Sequence, residues 1–569
     1  MARRNFIKIS AMVMAAALCA SSVVMAGCDR KNQGVQGEKY DETKTQLFVQ
    51  NFDGGGGSQW LYDVKDRFEE KYKDVSFEDG KRGVQLMITP NKVVGTAFSP
   101  KTSSQEVFFI EAMSYFDYAS AGDILDISDI AEKVFAQEGV SIDESYYNAL
   151  SAIDKDGNGK GEVYALPHYE FYSGVAYNKN IWNTYALYFE GDANGYANIE
   201  NGEYVYTNKA GTLSRGPDRK RGTNDDGLPE TWEEFFALCD YMLSRSVTPI
   251  NITGQYQSYF YYFLYSAVAD YGGYDELNAL ISYDGALEYV TGITENPESF
   301  LGYDFTKQSV EINNSNGYLG SKAASKFVAL AVAEKLLAKE NGTYKYFHQP
   351  SLLSTVSHLD AQEYYINSQY YNTPIAMHID GSWWENEASE AFASLAKIDP
   401  QSSKMNSSYG WMSLPTSIDR NDRSDAELKQ TAYDQIRAYA AINANIAAEK
   451  IDLAKEFLAF CYSKEELQLY TQSTGLPKGL HYELTDSNLN QMSSYAKDLW
   501  NYRKNRTIVH PITNNPLVIY EAIGLDSMWT TNTGLIPYIG MYDSINAKAY
   551  FEDMEVSQAR WNADYSRYF

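Results

Sequence analysis

QLFVQNFDGGGGSQW, Gln46 to Trp60, opens the folded part of this 569-residue chain, and its reading decides the fold class. QLFVQNF reads as a strand, a short apolar run stopped by a turn signal. The glycine run Gly54–Gly57 can only be loop, and Ser58 is the expected N-cap of a helix behind it. That helix puts Leu61, Val64, Phe68 and Tyr72 on one face. Strand, glycine loop and helix in this order form the first unit of an α/β domain. The loop can turn backbone N–H groups towards a ligand. No Gly-Lys-Ser/Thr follows it, so it is not a phosphate loop.

The same alternation continues outward. GVQLMIT (Gly83–Thr89), EVFFI (Glu106–Ile110), AMHID (Ala376–Asp380), WMSLP (Trp411–Pro415) and AYAAIN (Ala438–Asn443) read as strands. A helix is expected from Trp232, with Thr231 and Glu234 at capping-box spacing and Trp232, Phe235, Cys239 and Met242 as its apolar stripe. A long helical pattern runs from Ala448 to Ser473 and stops at Gly475-Leu476-Pro477. Residues 183–227 break the rhythm. They are rich in Gly, Asn, Asp and Tyr, and their Asn-Gly pairs predict hairpins on an inserted excursion.

The N-terminus carries Arg3, Arg4 and Lys8, then a short apolar run ending in Met25-Ala26-Gly27-Cys28. This is the pattern of a secretory signal, 1–27, rather than of a spanning helix. Its small-residue site ending in cysteine resembles a bacterial lipobox, in which Cys28 is diacylated with palmitate-type chains. Two chains anchor stably where one does not. The paired arginines also look like a twin-arginine export signal, although an ordinary basic head reads as well. Residues 28–45 hold almost nothing to bury and read as a flexible tether. Lys plus Arg number 48 against 75 Asp plus Glu, a net charge of −27, which disfavours nucleic acid and broad contact with anionic lipid. Beyond the anchor, Cys239 and Cys461 read as buried thiols rather than a disulfide framework.

The sharpest chemical motif is DKDGNGKGE, Asp154 to Glu162. Oxygen ligands at alternate positions with glycine between them match the start of an EF-hand calcium loop, with Asp154, Asp156, Asn158, Lys160 and Glu162 as ligand positions. The twelfth position is Ala165 instead of glutamate, so Glu162 or a distant carboxylate must complete the shell. Asp218, Asp225 and Asp226 form a weaker second calcium candidate; a simply solvated loop accounts for them equally. The histidines have no HExxH spacing, there is no Gly-x-Ser-x-Gly elbow, and no organic cofactor motif is present. Nothing reads as a catalytic centre, and the chain is expected not to be an enzyme. Its surplus is aromatic: 48 Tyr, 25 Phe and 9 Trp, more than a core needs. Rings at strand ends are what a pyranose face stacks on, and Tyr169, Tyr172, Trp383, Trp384 and Trp411 are placed there.

With these residues in view, the chain resembles the extracellular solute-binding proteins of ABC sugar importers, the group that includes maltose-binding protein. The lipobox, EVFFIEAMSYFDYASAGDILDIS, ALPHYEFYSGVAYNKNIW, LPETWEEFFALCDYM, TPIAMHIDGSWW, YGWMSLP and IDLAKEFLAFCYSKEELQLYTQSTGLPKG carry the resemblance, in order. It implies an α/β, two-lobe, periplasmic-binding-protein-like (type II) fold with a hinge and a central cleft. One lobe would take 46–170 plus about 425–490, the other 171–424 plus about 491–569. It implies a monomeric, membrane-anchored protein outside the cytoplasm that captures a carbohydrate, an oligosaccharide, and hands it to ABC permease subunits. The rivals are a surface enzyme cleaving polysaccharide and a binder of peptide or another solute on the same scaffold. Trp383 is implied as the sugar platform, with Trp384 packed under it. Tyr169, Glu170 and Tyr172 are implied at the cleft floor, Glu111, Ser114 and Tyr115 in the loop after EVFFI, and Asp53 with its glycines on the opposite edge.

Overall fold

A computed structural model describes residues 39–92, 98–423, 430–519 and 546–569. The expected signal peptide, Cys28 and most of the expected tether lie outside the described residues. The chain divides into a unit over 1–42 and a compact unit over Thr43–Phe569, and the second carries everything below.

Two sheets organise it. The first takes β1 (Thr45–Phe52), β2 (Val84–Asn91), β3 (Val107–Ile110), β4 (Ala165–Pro167) and, much later, β9 (Tyr439–Ile442). Its order is β2-β1-β3-β9-β4, with β1 parallel to β2 and β3, and β9 antiparallel to both its neighbours. β3 is central and buried along its whole length, which is why VFFI shows no alternation. The helix Gln59–Lys71 covers this sheet with Trp60, Leu61, Val64 and Phe68. The second sheet takes β5 (Ser173–Asn178), β6 (Thr248–Asn251), β7 (Ile375–Gly381) and β8 (Tyr409–Met412), in the order β6-β7-β5-β8. Here β6 and β7 run parallel, and β5 is antiparallel to β7 and β8.

Local signals explain several boundaries. Thr231 and Glu234 form the reciprocal cap at the head of helix Trp232–Ser244, which buries Trp232, Phe235, Cys239 and Met242. Asn201 and Gly202 both take positive φ, 54° and 86°, and so make the tight turn joining strands Ile199–Glu200 and Glu203–Tyr204 in the excursion. Two expectations need correction. Ser58 starts its helix without capping it; its hydroxyl donates to Asp53 at 2.7 Å instead. The long pattern from Ala448 is two helices, Ile451–Cys461 and Lys464–Thr474, because Ser463 takes an extended conformation and caps the second through Glu466 N–H. Periodicity continued through that break because both helices bury the same side. Cys239 and Cys461 are buried and free. No helix among the described residues is long and apolar enough to cross a membrane.

The sheets are joined where the chain crosses between them. The crossing from β4 to β5 runs beside the return crossing into β9: His168 N–H donates to Ala438 O, and Gln435 N–H to Phe171 O. Buried ions bind the crossings together. Arg503 grips Glu170 through both oxygens, each at 3.1 Å, and also donates to Leu480 O. Asp434 accepts from Phe171 N–H at 3.0 Å and lies 3.2 Å from His510 Nδ1. His510 stacks on Tyr146 and has Asp143 3.6 Å from its Nε2; Asp143 in turn pairs with His481 at 2.9 Å.

Burial opposes a charge on His510, but its hydrogen bonds to Asp143 and Asp434 outweigh it and lift the pKa to about 9. Burial pushes Asp434 up to about 6 against the pull of His510. A histidine whose folded pKa exceeds its unfolded 6.5 stabilises fully below that pH, and the gain is lost as pH rises through about 9. The melting temperature should therefore fall across that window. His510→Gln should flatten the fall and lower stability at the acid end by on the order of 2 kcal/mol. Calorimetry over pH checks this, and an unchanged profile in the variant would assign the titration to another group.

Candidate ligand-binding site

The ends of β1, β3 and β7 bring the glycine loop, Glu111 and Trp383 together beside the β4–β5 crossing. Asn51, fully buried, shapes the loop from beneath: its amide donates to Phe52 O, Gly57 O and Ser58 Oγ. Gly55 is thereby held at φ +53° against the opposite sheet. A Cβ there would lie 3.2 Å from the Tyr169 hydroxyl, 3.4 Å from Glu111 Oε1 and 3.6 Å from Trp383 Cδ2. Glycine is needed for both the conformation and the approach. Asp53, half-buried, is tied to Ser58 in the same loop.

Trp383 is 7% exposed, and its indole stacks on Phe171 with centroids 3.7 Å apart and planes 20° from parallel. Gly381 permits the stack, since a Cβ there would lie 2.4 Å from Phe171 and 2.9 Å from Trp383. The short helix Trp384–Glu387 then carries Glu387 round to the same side as Trp383, at i+4 spacing. Glu387 accepts from Gly55 N–H at 3.4 Å and from Gln362 at 3.2 Å, with His358 Nε2 3.7 Å away. It spans from one lobe to the other. Burial and the nearby Asp380 push its pKa up to about 8. Glu111 is also raised well above the carboxylate range, by burial and then by the charge of Glu387. Its Oε1 and the Tyr169 hydroxyl are buried without a hydrogen-bond partner. In a folded interior such groups are few, and each asks for an explanation.

The other expected contacts have hydrogen bonds and packing partners of their own. Tyr115 is a core residue: its hydroxyl donates to Leu150 O and accepts from Tyr164 N–H, and the ring packs on Tyr439. Ser114 precedes the helix Tyr115–Ala121 without a side-chain cap bond. Glu170 and Tyr172 belong to the hinge, Glu170 paired with Arg503 and Tyr172 donating to it. Trp384 is fully buried among Tyr365, Tyr409 and Tyr495, and Trp411 among Tyr495 and Tyr502. Charge partners and burial, which residue type alone does not reveal, decide these cases. Glu387 and Phe171 were not singled out in the sequence, whereas Gly55 lies in the glycine run that was. The i+4 spacing from Trp383 was the signal for Glu387.

The calcium-like loop sits between helix Glu144–Leu150 and β4. One oxygen each from Asp154, Asp156 and Glu162 lies within 4.8 Å of the others, as ligands of one hard cation must. Asp154 and Asp156 accept from Asn158 N–H, and the Lys160 ammonium turns away to Glu132. Asp218, Asp225 and Asp226 are not gathered in this way; each accepts from its own loop, from Lys220, Asp218 and Gly222 N–H respectively. Burial and Asp218 raise Asp225 to about 6.

This architecture has known counterparts. A maltose-bound MalE3 structure from T. maritima is similar at a TM-score of 0.50 and 12% identity, covering 91% of this chain and 99% of that one. The fold is the two-lobe solute-binding fold. A chitin oligosaccharide binding protein and RafE in complex with raffinose are similar at TM-score 0.49, each at 13% identity, covering 91% and 92% of this chain and 99% and 100% of theirs. No family model and no curated protein matches the chain.

Crowding at the Phe171–Trp383 stack makes a local prediction. Gly381→Ala should cost about 2 kcal/mol, since an added methyl must displace one of the two rings. Urea unfolding followed by tryptophan fluorescence measures it, and a midpoint equal to the parent's would show that the stack yields freely.

Proposed function

We propose that this protein is a carbohydrate-binding protein of an ABC importer, anchored outside the cytoplasmic membrane through acylated Cys28 and delivering an oligosaccharide to the permease. One observation carries the reading. An aromatic platform from one lobe meets unpartnered, buried polar atoms of Glu111 and Tyr169 from the other, at the close approach around Gly55. A pyranose presents an apolar face to the ring and hydroxyls to those atoms, and so binds both lobes at once. A ligand held by both lobes favours the closed arrangement. The maltose of the MalE3 structure agrees with this class. The protein breaks no bond in this reading, acts as a monomer, and has no use for nucleic acid or an organic cofactor.

The paired carboxyls Glu111 and Glu387 also favour a second reading, a hydrolase, for which two such groups are the usual machinery. Titration calorimetry against mono- and oligosaccharides separates the two. Expected is saturable binding with the glycan recovered intact, and Trp383→Ala weakening it by on the order of thirtyfold, against a smaller loss for Tyr169→Phe. Cleaved product on prolonged incubation would replace the binder with the enzyme. Binding of peptides alone would remove the sugar.

Calcium at Asp154, Asp156 and Glu162 is proposed as a structural ion, stapling the loop that leads into the β4–β5 crossing. Asn158 and the Lys160 carbonyl would complete its shell. At a hundredfold excess over its dissociation constant an ion stabilises by about 2.7 kcal/mol. Calcium should raise the melting temperature, a chelator should reverse the rise, and Asp156→Asn should shrink it. A melting temperature indifferent to calcium would discard the ion.

A further inference from the structure

The polar groups that meet at Gly55 are acidic on both sides. Glu111 comes from the end of β3, and Glu387 from the helix after β7. Behind Glu387 lies Asp380, fully buried, which accepts from Gln362 and Gly381 N–H and faces His378 Nε2 at 2.9 Å. Asp380 is thus fully engaged. Glu387 is only partly so, and Glu111 Oε1 has no partner although the residue is 7% exposed. Among the described residues, the charge of Lys92 draws the pKa of Glu387 down, but less than burial and Asp380 push it up. Lys92 is exposed to solvent, and burial lowers the pKa of His358, which keeps its ring neutral near pH 7. Lys478, behind Tyr470, is confined in a cage of rings, 4.1 Å from the Tyr470 centroid and 3.1 Å from His168 Nδ1. Burial lowers its pKa to about 7, so it brings only part of a charge.

Two buried carboxyls beside an indole face are the arrangement that recognises an ammonium: the ring face attracts the cation and the carboxylates pair with it. Burial holds both carboxyls in the protonated form, and an ammonium favours their ionised form, the protons leaving to solvent. A neutral hydroxyl supplies no such charge, and a uronate or sulfate adds an anion to a buried acidic site. We propose that the ligand is a basic saccharide, whose free amine is held between Glu111 and Glu387 against Trp383. This rests on the carbohydrate reading and narrows it. It assigns Glu387 a specificity role: its link to Gly55 N–H closes the lobes over the amine.

The test is calorimetric titration of the purified full chain at neutral pH and low salt with four probes: a glucosamine oligomer, its fully N-acetylated twin of equal length, a malto-oligosaccharide of that length, and spermidine. The glucosamine oligomer should bind at least tenfold more tightly than its acetylated twin. Glu111→Gln, or Glu387→Gln should the first variant melt early, should reduce that ratio to below threefold, with the glucosamine oligomer losing more affinity than its acetylated twin. Equal or tighter binding of the acetylated or malto probe overturns the amine but leaves the sugar reading intact. Spermidine bound with every saccharide refused keeps the cation and overturns the sugar. Refusal of both amine probes overturns the inference outright.

Discussion

Phe171 is fixed before any ligand arrives. Its N–H donates to Asp434 and its carbonyl accepts from Gln435 N–H, so the return crossing holds its backbone from both sides. With the main chain pinned, the ring lies where Trp383 comes down on it. The next residue, Tyr172, accepts through its carbonyl from Ser382 N–H and so sets the start of the turn that carries Trp383. Hinge and platform are therefore one rigid piece. In the proposed function, a platform fixed to the hinge would keep its place through closure while the glycine loop of the other lobe approached it. This division of labour suits a site that must be complete only when shut.

The hinge and the cleft treat buried charge in opposite ways. Glu170 is as buried as any residue in the molecule, yet each of its oxygens has an Arg503 nitrogen and one also has Tyr172. Removing either partner would leave an uncompensated buried ion, which is costly, so this pair fixes geometry and offers a solute nothing. Glu111 has similar burial without such partners. Its oxygen is kept out of water by the closed glycine loop and Tyr169, not by bonds of its own. Burial alone cannot tell the two glutamates apart; their partners can.

How much of this was legible in the sequence follows the range of each interaction. Near-neighbour signals were readable: the strand, glycine loop and helix at Gln46–Trp60, the Thr231–Glu234 cap, and the Asn201-Gly202 turn each depend on residues a few positions apart. The division of 448–474 into two helices was hidden because apolar spacing carries across the break, and Ser463 alone marked it. The roles of Tyr115, Glu170 and Tyr172 were hidden for another reason. Residue type shows that a tyrosine or glutamate can meet a sugar. It does not show that Arg503, more than three hundred positions on, has already taken the carboxylate, or that Leu150 has taken the hydroxyl.

The adjacent tryptophans Trp383 and Trp384 follow from the same constraints. β7 ends at Gly381, and the short helix begins at once, so neighbouring side chains leave the backbone in different directions. Trp384 turns inward and fills the space among Tyr365, Tyr409 and Tyr495, which locks the helix onto the second sheet. Trp383 turns towards the crossing and finds Phe171. The buried ring orients the helix, and the helix orients both the platform and Glu387 one turn further on. A smaller residue at Trp384 would loosen the helix and move Trp383 and Glu387 together, so the tryptophan buried in the core governs the aim of the one beside the glycine loop.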